Sequence, residues 1–115
     1  MPNRKSILLV THRPLTLHDT VLAAHGFKVH TAHSLDEAKA QWAPGKFRLM
    51  LVEPNGDLQE ALQFCHASKK VDPEFRFAFI TRQGTYPTVD TCPDDVIMLQ
   101  YNPEHFVQRV SELVS

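Results

Sequence analysis

The stretch "GFKVHTAHSLDEA", residues 26–38, holds a helix stop, a strand and a helix start in direct succession. Gly26 follows a run in which Leu17, Val21 and Ala24 recur at i, i+4 and i+7, so it reads as the C-terminal stop of a first helix. Phe27, Val29 and Thr31 then alternate with Lys28 and His30, the period of a strand covered on one side, which suits a sheet edge. Ser34 can cap the next helix while Glu37, three residues on, returns the hydrogen bond. Leu35, Ala38 and Trp42 share the inner face of that helix, and Pro44-Gly45 ends it.

Working outward, "SILLV" (6–10), "RLMLV" (48–52), "FAFI" (77–80) and "VIML" (96–99) are continuous apolar runs too short for helices. Flanked by Pro, Gly and Asp, they read as strands covered on both faces. A third helix carries Leu58, Ala61, Leu62 and Cys65. A last one begins at "NPEHF" (102–106), where Asn102 caps and Pro103 occupies the first turn without losing a hydrogen bond. Its stripe is Phe106, Val110, Leu113 and Val114. Strand and helix alternate throughout, and right-handed crossovers make this a five-stranded parallel α/β sheet with helices on both faces. One connection is irregular. "RQGTYPTVDTCPDD" (82–95) has two prolines, one glycine and no helical period, so a fourth helix there should be short, irregular or missing. With no repeat, low-complexity segment or linker, residues 1–115 read as one domain.

Composition narrows the function. A chain of 115 residues with 43% hydrophobic and 22% charged residues is ordinary for a globular protein. A formal net charge of −1 gives no electrostatic reason to expect nucleic acid or an anionic membrane as partner. No apolar run approaches the ~20 residues of a membrane span, and "MPNRKSILLV" lacks the pattern of a signal peptide. Cys65 and Cys92 form neither a metal spacing nor a redox motif, which makes a reduced cytoplasmic setting the default. Cys65 falls on an apolar helix face and reads as core; Cys92, in an open polar loop, has nothing nearby in sequence to activate it. Lys69-Lys70 reads as a solvated helix end, and Trp42 as core.

The candidate site begins at "LMLVEPNGD" (49–57), four apolar residues running into Glu53. In open α/β sheets, ligands and chemistry sit at the carboxyl ends of the strands. Seven histidines raise a metal hypothesis, but neither His30 and His33 nor His12 and His18 are joined by Cys, Asp or Glu at zinc-ligand spacing. His12 beside Glu53 could form a salt-bridged pair titrating near neutral pH, against the simpler reading of an exposed loop histidine.

Over nearly its whole length the chain resembles the receiver domains of bacterial response regulators. "GFKVHTAHSLDEA" is the most specific piece, similar to the family's run from second strand to second helix. "KSILLVTHRP", "RLMLVE" and "FAFIT" look like its first, third and fourth strands, and "VIMLQYNPEHFVQRVSELV" like its fifth strand and closing helix. The resemblance implies a flavodoxin-like (CheY-like) three-layer fold with strand order 2-1-3-4-5. It also implies the family's chemistry: phosphoryl transfer from a histidine kinase to an aspartate ending the third strand. An acidic pair ending the first strand binds Mg²⁺ there, with a hydroxyl residue ending the fourth strand and a lysine ending the fifth.

Residue by residue, most of that machinery does not carry over. Glu53 stands at the acceptor position, its extra methylene moving the oxygens by more than a bond length. Thr11 and His12 replace the acidic pair, and Thr81 keeps the hydroxyl. The lysine falls on Leu99 or Gln100, and the aromatic switch residue on Val96 or Ile97. A carboxylate attacking an anionic phosphoryl group needs the assembled charge neutralised, and Mg²⁺ needs oxygen ligands, usually carboxylates. Glu53 therefore reads either as a permanent mimic of a phosphorylated aspartate or as a solvated carboxylate left at a strand end. Phosphocysteine carriers of similar topology would need a cysteine at Thr11, and cobalamin-binding domains an Asp-x-His-x-x-Gly run that "VTHRPLT" lacks.

The resulting expectation is a non-enzymatic pseudo-receiver, without cofactor or metal, that signals through a protein partner, an attached effector domain or a second copy of itself. Its output surface is expected around the connection after the fourth strand, the fifth strand and the last helix, at Tyr86, Pro87 and Tyr101, with Cys92 and Pro93 nearby. The rival reading is a receiver that still accepts a phosphoryl group.

Overall fold

Strands β1 (Ser6–Val10) and β3 (Leu49–Val52) contain no exposed residue, because each is hydrogen-bonded on both edges and covered on both faces. The computed structural model describes residues 5–11, 16–54, 58–81, 92–98 and 102–114. The remaining elements are α1 (Thr16–Ala24), β2 (Lys28–Ala32), α2 (Leu35–Gln41), α3 (Leu58–Val71), β4 (Arg76–Thr81), β5 (Asp95–Met98) and α4 (Pro103–Val114). All strand pairs are parallel, in the order β2-β1-β3-β4-β5. This is the doubly wound, flavodoxin-like arrangement anticipated from the alternation of elements.

Side-chain alternation divides the core into two. Ile7, Leu9, Leu49, Leu51, Ala78 and Ile80 pack with Leu22 of α1 and Phe106, Val107, Val110 and Val114 of α4. Leu8, Val10, Met50, Val52, Phe77 and Phe79 pack against α2 and α3, through Leu35, Ala38, Ala61, Leu62 and Cys65. Continuous apolar runs are thus the signature of burial on both faces. β2 lies at the edge, and its expected alternation holds only in part: Phe27 is buried and Val29 half-buried beside exposed Lys28 and His30, but Thr31 is exposed and Ala32 takes the buried place. His30 stands edge-on to Phe47 at 5.2 Å between centroids.

The helix ends follow local chemistry closely. Gly26 takes φ +86°, with Phe27 N–H donating to the Leu22 carbonyl at 3.1 Å and Gly26 N–H to that of Ala23 at 3.0 Å. That pair of bonds is the Schellman closure, which requires the left-handed conformation glycine adopts without strain. Ser34 caps α2, its Oγ accepting from Glu37 N–H at 3.1 Å. The return bond differs from the expected box: Glu37 Oε2 accepts from His33 N–H at 3.2 Å, one residue before the cap. Asn102 Oδ1 accepts from Glu104 N–H at 2.8 Å and caps α4.

The inner face of α1 departs from expectation. Leu17 is exposed, as is Ala24, while Leu22 is fully buried and His18 packs edge-on to Phe106 at 4.9 Å. The stripe runs through His18, Val21 and Leu22, because an aromatic-sized ring one turn from Leu22 fills the space over α4 better than Leu17 does. Lys69 is a second correction. It is no solvated helix end: its Nζ donates to the Cys92 carbonyl at 2.6 Å and pairs with Asp94 at 2.8 Å. Asp94 in turn accepts from Phe77 N–H at 2.9 Å through the same carboxylate oxygen, while its own N–H donates to the Phe77 carbonyl at 2.7 Å. This clasp fixes where β5 starts. On the far side of β5, Arg109 of α4 forms a two-pronged pair with Asp95, its Nε at 2.8 Å from Oδ2.

The expected short or irregular fourth helix falls on residues 82–91, outside the described residues. Among the described residues, no helix is long and apolar enough to cross a membrane. Replacing Gly26 by Ala should cost about 1–2 kcal/mol in urea unfolding, the penalty of a left-handed residue with a Cβ. Among the described residues a Cβ there would meet only Lys5 Nζ, at 3.7 Å, so sterics add little. Gly26→Asn should cost less than Gly26→Ala, since Asn visits this conformation more readily; equal costs would mean that the conformation does not set the penalty.

Candidate functional site

The site lies at the carboxyl edge of the sheet, where the ladders run out. β1 and β3 pair with Val10 opposite Val52, so the next residues, Thr11 and Glu53, stand side by side. Thr11 N–H extends the ladder to the Ala32 carbonyl at 3.0 Å, and Glu53 N–H to the Val10 carbonyl at 2.9 Å. Both backbones are therefore held as rigidly as the strands they continue. Thr81 ends β4 opposite Met98 and is half-buried. Since Val52 pairs with Phe79, Glu53 falls beside Ile80, and Thr81 lies one step further along.

Glu53 is 9% exposed and Thr11 1%. The expectation of a solvated carboxylate at the strand end is therefore corrected: the side chain is folded into the protein. What makes this tolerable is the Thr11 hydroxyl, which donates to Glu53 Oε1 at 2.7 Å. That is an ordinary length for a hydroxyl donating to a carboxyl oxygen. A buried charge without such partners would cost several kcal/mol. With a carboxylate at position 11 instead of Thr, the pair would be mutually repulsive and would need a cation between them.

Of the other residues singled out in the sequence, His12, Gln100, Tyr86, Pro87 and Tyr101 lie outside the described residues, as does Leu99. Val96 is partly buried against the α2/α3 core and Ile97 is buried in the α1/α4 core. Among the described residues no group of three His, Cys, Asp or Glu side chains converges as a metal site would require. Sequence reading missed the clasp of Lys69 with Cys92 and Asp94. The one available signal was spacing: Lys69 lies one helical turn after the core residue Cys65, on the same side of α3.

No family model matches the chain, and no curated protein matches it in sequence. Solved structures do match it in fold. A response regulator receiver domain protein (CheY-like) from Methanospirillum hungatei superposes with a TM-score of 0.77 at 20% identity, over 96% of this chain and 93% of that one. A response regulator from Thermotoga maritima gives 0.73 at 19% identity, over 95% and 96%. A chain from the complex of histidine kinase ThkA with response regulator protein TrrA gives 0.76 at 22% identity, over 96% and 99%. The likeness is one of fold: the chain has the architecture of response-regulator receiver domains over 95–96% of its length.

The Thr11–Glu53 bond has a measurable consequence. Thr11→Val keeps the shape but leaves a buried carboxylate oxygen short of its donor, and should destabilise by about 1–3 kcal/mol in urea unfolding. Glu53→Gln retains an acceptor oxygen and should cost less. In the double variant the two effects should fail to add by roughly 0.5 kcal/mol or more. Strict additivity would mean that the two side chains do not support one another in solution.

Proposed function

We propose that this chain is a receiver-like signalling module that works through protein–protein contacts and does not itself accept a phosphoryl group. The observation that carries the reading is the buried hydrogen bond from Thr11 to Glu53. At the place where receivers gather carboxylates around a divalent cation, one of the two neighbouring positions holds a hydroxyl that has already engaged Glu53. A phosphoryl group would bring roughly −1.5 to −2 charges next to a carboxylate. Its stabilisation requires a cation, and Mg²⁺ prefers several hard oxygen ligands in near-octahedral geometry. Among the described residues, Glu53 and the hydroxyls of Thr11 and Thr81 are a poor set for that purpose.

In this reading the module's output is a surface. The proposed face comprises β5, α4 and the segment carrying Tyr86, Pro87 and Tyr101. Its described part holds a small cavity of about 70 Å³ lined by Val96, Ile97, Met98, His105, Phe106 and Arg109. The Asp95–Arg109 pair keeps α4 seated on β5, so the face is presented in one arrangement. An attached effector domain, a separate regulatory protein or a second copy are the partners this class of surface serves. A histidine kinase complex of a like-folded protein supports protein partnership in general.

The test is incubation with acetyl phosphate and Mg²⁺, and separately with beryllofluoride and Mg²⁺, followed by intact mass and amide spectra. The unmodified mass should persist, and the amides of Glu53 and Thr81 should not shift. A gain of one phosphoryl group, or shifts centred on Glu53 at sub-millimolar Mg²⁺, would instead identify a receiver that retains phosphoryl transfer.

A further inference from the structure

The two cysteines, far apart in sequence, meet in space. Cys65 is fully buried on the inner face of α3, and Cys92, partly exposed, packs against the cluster to which Cys65 belongs. Their side chains are within hydrogen-bonding reach of each other. The backbones around them are already fixed. Lys69, one turn after Cys65, binds the Cys92 carbonyl at 2.6 Å and the Asp94 carboxylate at 2.8 Å, so α3 grips the 92–94 segment at two points. A disulfide needs a sulfur separation near 2 Å and Cβ atoms about 3.5–4.5 Å apart, so the two thiols have to close from hydrogen-bonding reach to bonding distance.

We propose that Cys65 and Cys92 form a reversible intramolecular disulfide by exchange with a small-molecule disulfide, covalently tying α3 to the segment that leads into β5. Exposure sets the order of events. Cys92, as its thiolate, attacks one sulfur of the small disulfide; that S–S bond breaks and the first small thiol leaves after taking up a proton. Cys65 then gives its proton to solvent and attacks the Cys92 sulfur, expelling the second small thiol. In total, two protein thiols are oxidised to one disulfide and one small disulfide is reduced to two thiols. Cys65 is held as the protonated thiol first by burial and then by the neighbouring Cys92, with the pull of the Lys69 ammonium set against the Asp94 carboxylate that pairs with it. Attack by Cys65 has a target only once Cys92 carries the mixed disulfide. The second step is thereby coupled to the first.

The consequence falls on the crossover between β4 and β5. In the thiol state, α3 and the entry to β5 are joined by Lys69 and packing alone. In the disulfide state the loop from residue 65 to residue 92, which contains β4, is closed, and the unfolded chain loses freedom accordingly.

The experiment is equilibration of the reduced full chain with excess oxidised glutathione under anaerobic conditions, followed by intact mass and peptide mapping without reductant. The expected product is a monomer lighter by two hydrogens, with peptides containing Cys65 and Cys92 linked, a Tm raised by on the order of 10 °C, and full reversal by dithiothreitol. Cys65→Ala should retain glutathione on Cys92, because the resolving thiol is gone. Cys92→Ser should take up no glutathione, because Cys65 is shielded. A wild-type chain that stays a dithiol, accumulates a stable glutathione adduct or cross-links between chains would overturn the proposal. The wild-type mass decides the matter even if a variant fails to fold.

Discussion

The structure rests on a requirement of parallel sheets: the central strands must be covered on both faces, so the interior positions of β1, β3 and β4 are apolar and polar residues such as Ser6, Arg76 and Thr81 stand at the strand ends. Ile7 and Leu9 pack towards α1 and α4, and Leu8 and Val10 towards α2 and α3; β3 and β4 repeat the division. Each fully buried side chain of this kind is worth about 1.5–3 kcal/mol. Against that background one buried, hydrogen-bonded carboxylate is affordable to the fold. Polar chemistry is confined to where the strands end. The rule leaves Thr11, Glu53 and Thr81 together at one edge, and any function that uses the sheet's own residues must start from them.

At that edge the balance of charge decides what can happen. A cluster of carboxylates at neighbouring strand ends is unstable without a cation and therefore recruits one. A hydroxyl beside a carboxylate needs no cation. The 2.7 Å bond from Thr11 satisfies Glu53 with a neutral partner, in a position shielded from water. A phosphoryl group of about −1.5 to −2 charges entering the pocket would have to disturb that bond. The Lys69 clasp and the Asp95–Arg109 pair hold β5 from its two sides, α3 and α4. These contacts tie the last strand to both helical layers.

Much of the fold was legible in the chain because its signals are local. "GFKVHTAHSLDEA" carries the stop and the cap, which appear where their chemistry dictates, while its alternation holds as far as His30 and fails at Thr31, which is exposed. Continuous apolar runs predicted strands buried on both faces, and β1, β3 and most of β4 are so buried. The α1 stripe was misread because helical periodicity alone cannot distinguish Leu17 from His18 when the deciding contact is a ring, Phe106, from the far end of the chain. The return bond of the α2 cap reached His33 because a flexible Glu side chain can choose between adjacent N–H donors. At the site, sequence placed Glu53 at a strand end but could not tell that it would be buried. Burial there depends on Thr11, forty-two residues earlier and adjacent only through strand register. The meeting of Cys65, Lys69, Cys92 and Asp94 was illegible for the same reason.

The central claim is that the edge formed by Thr11, Glu53 and Thr81 does not hold a divalent cation. Paramagnetic Mn²⁺ reports on this directly, because a bound ion broadens the amide signals around it. Titrating Mn²⁺ into the isotope-labelled chain should leave the amides of Thr11, Glu53 and Thr81 no more broadened than those of other strand ends. Selective loss of those three signals at sub-millimolar Mn²⁺, restored by excess Mg²⁺, would contradict the account.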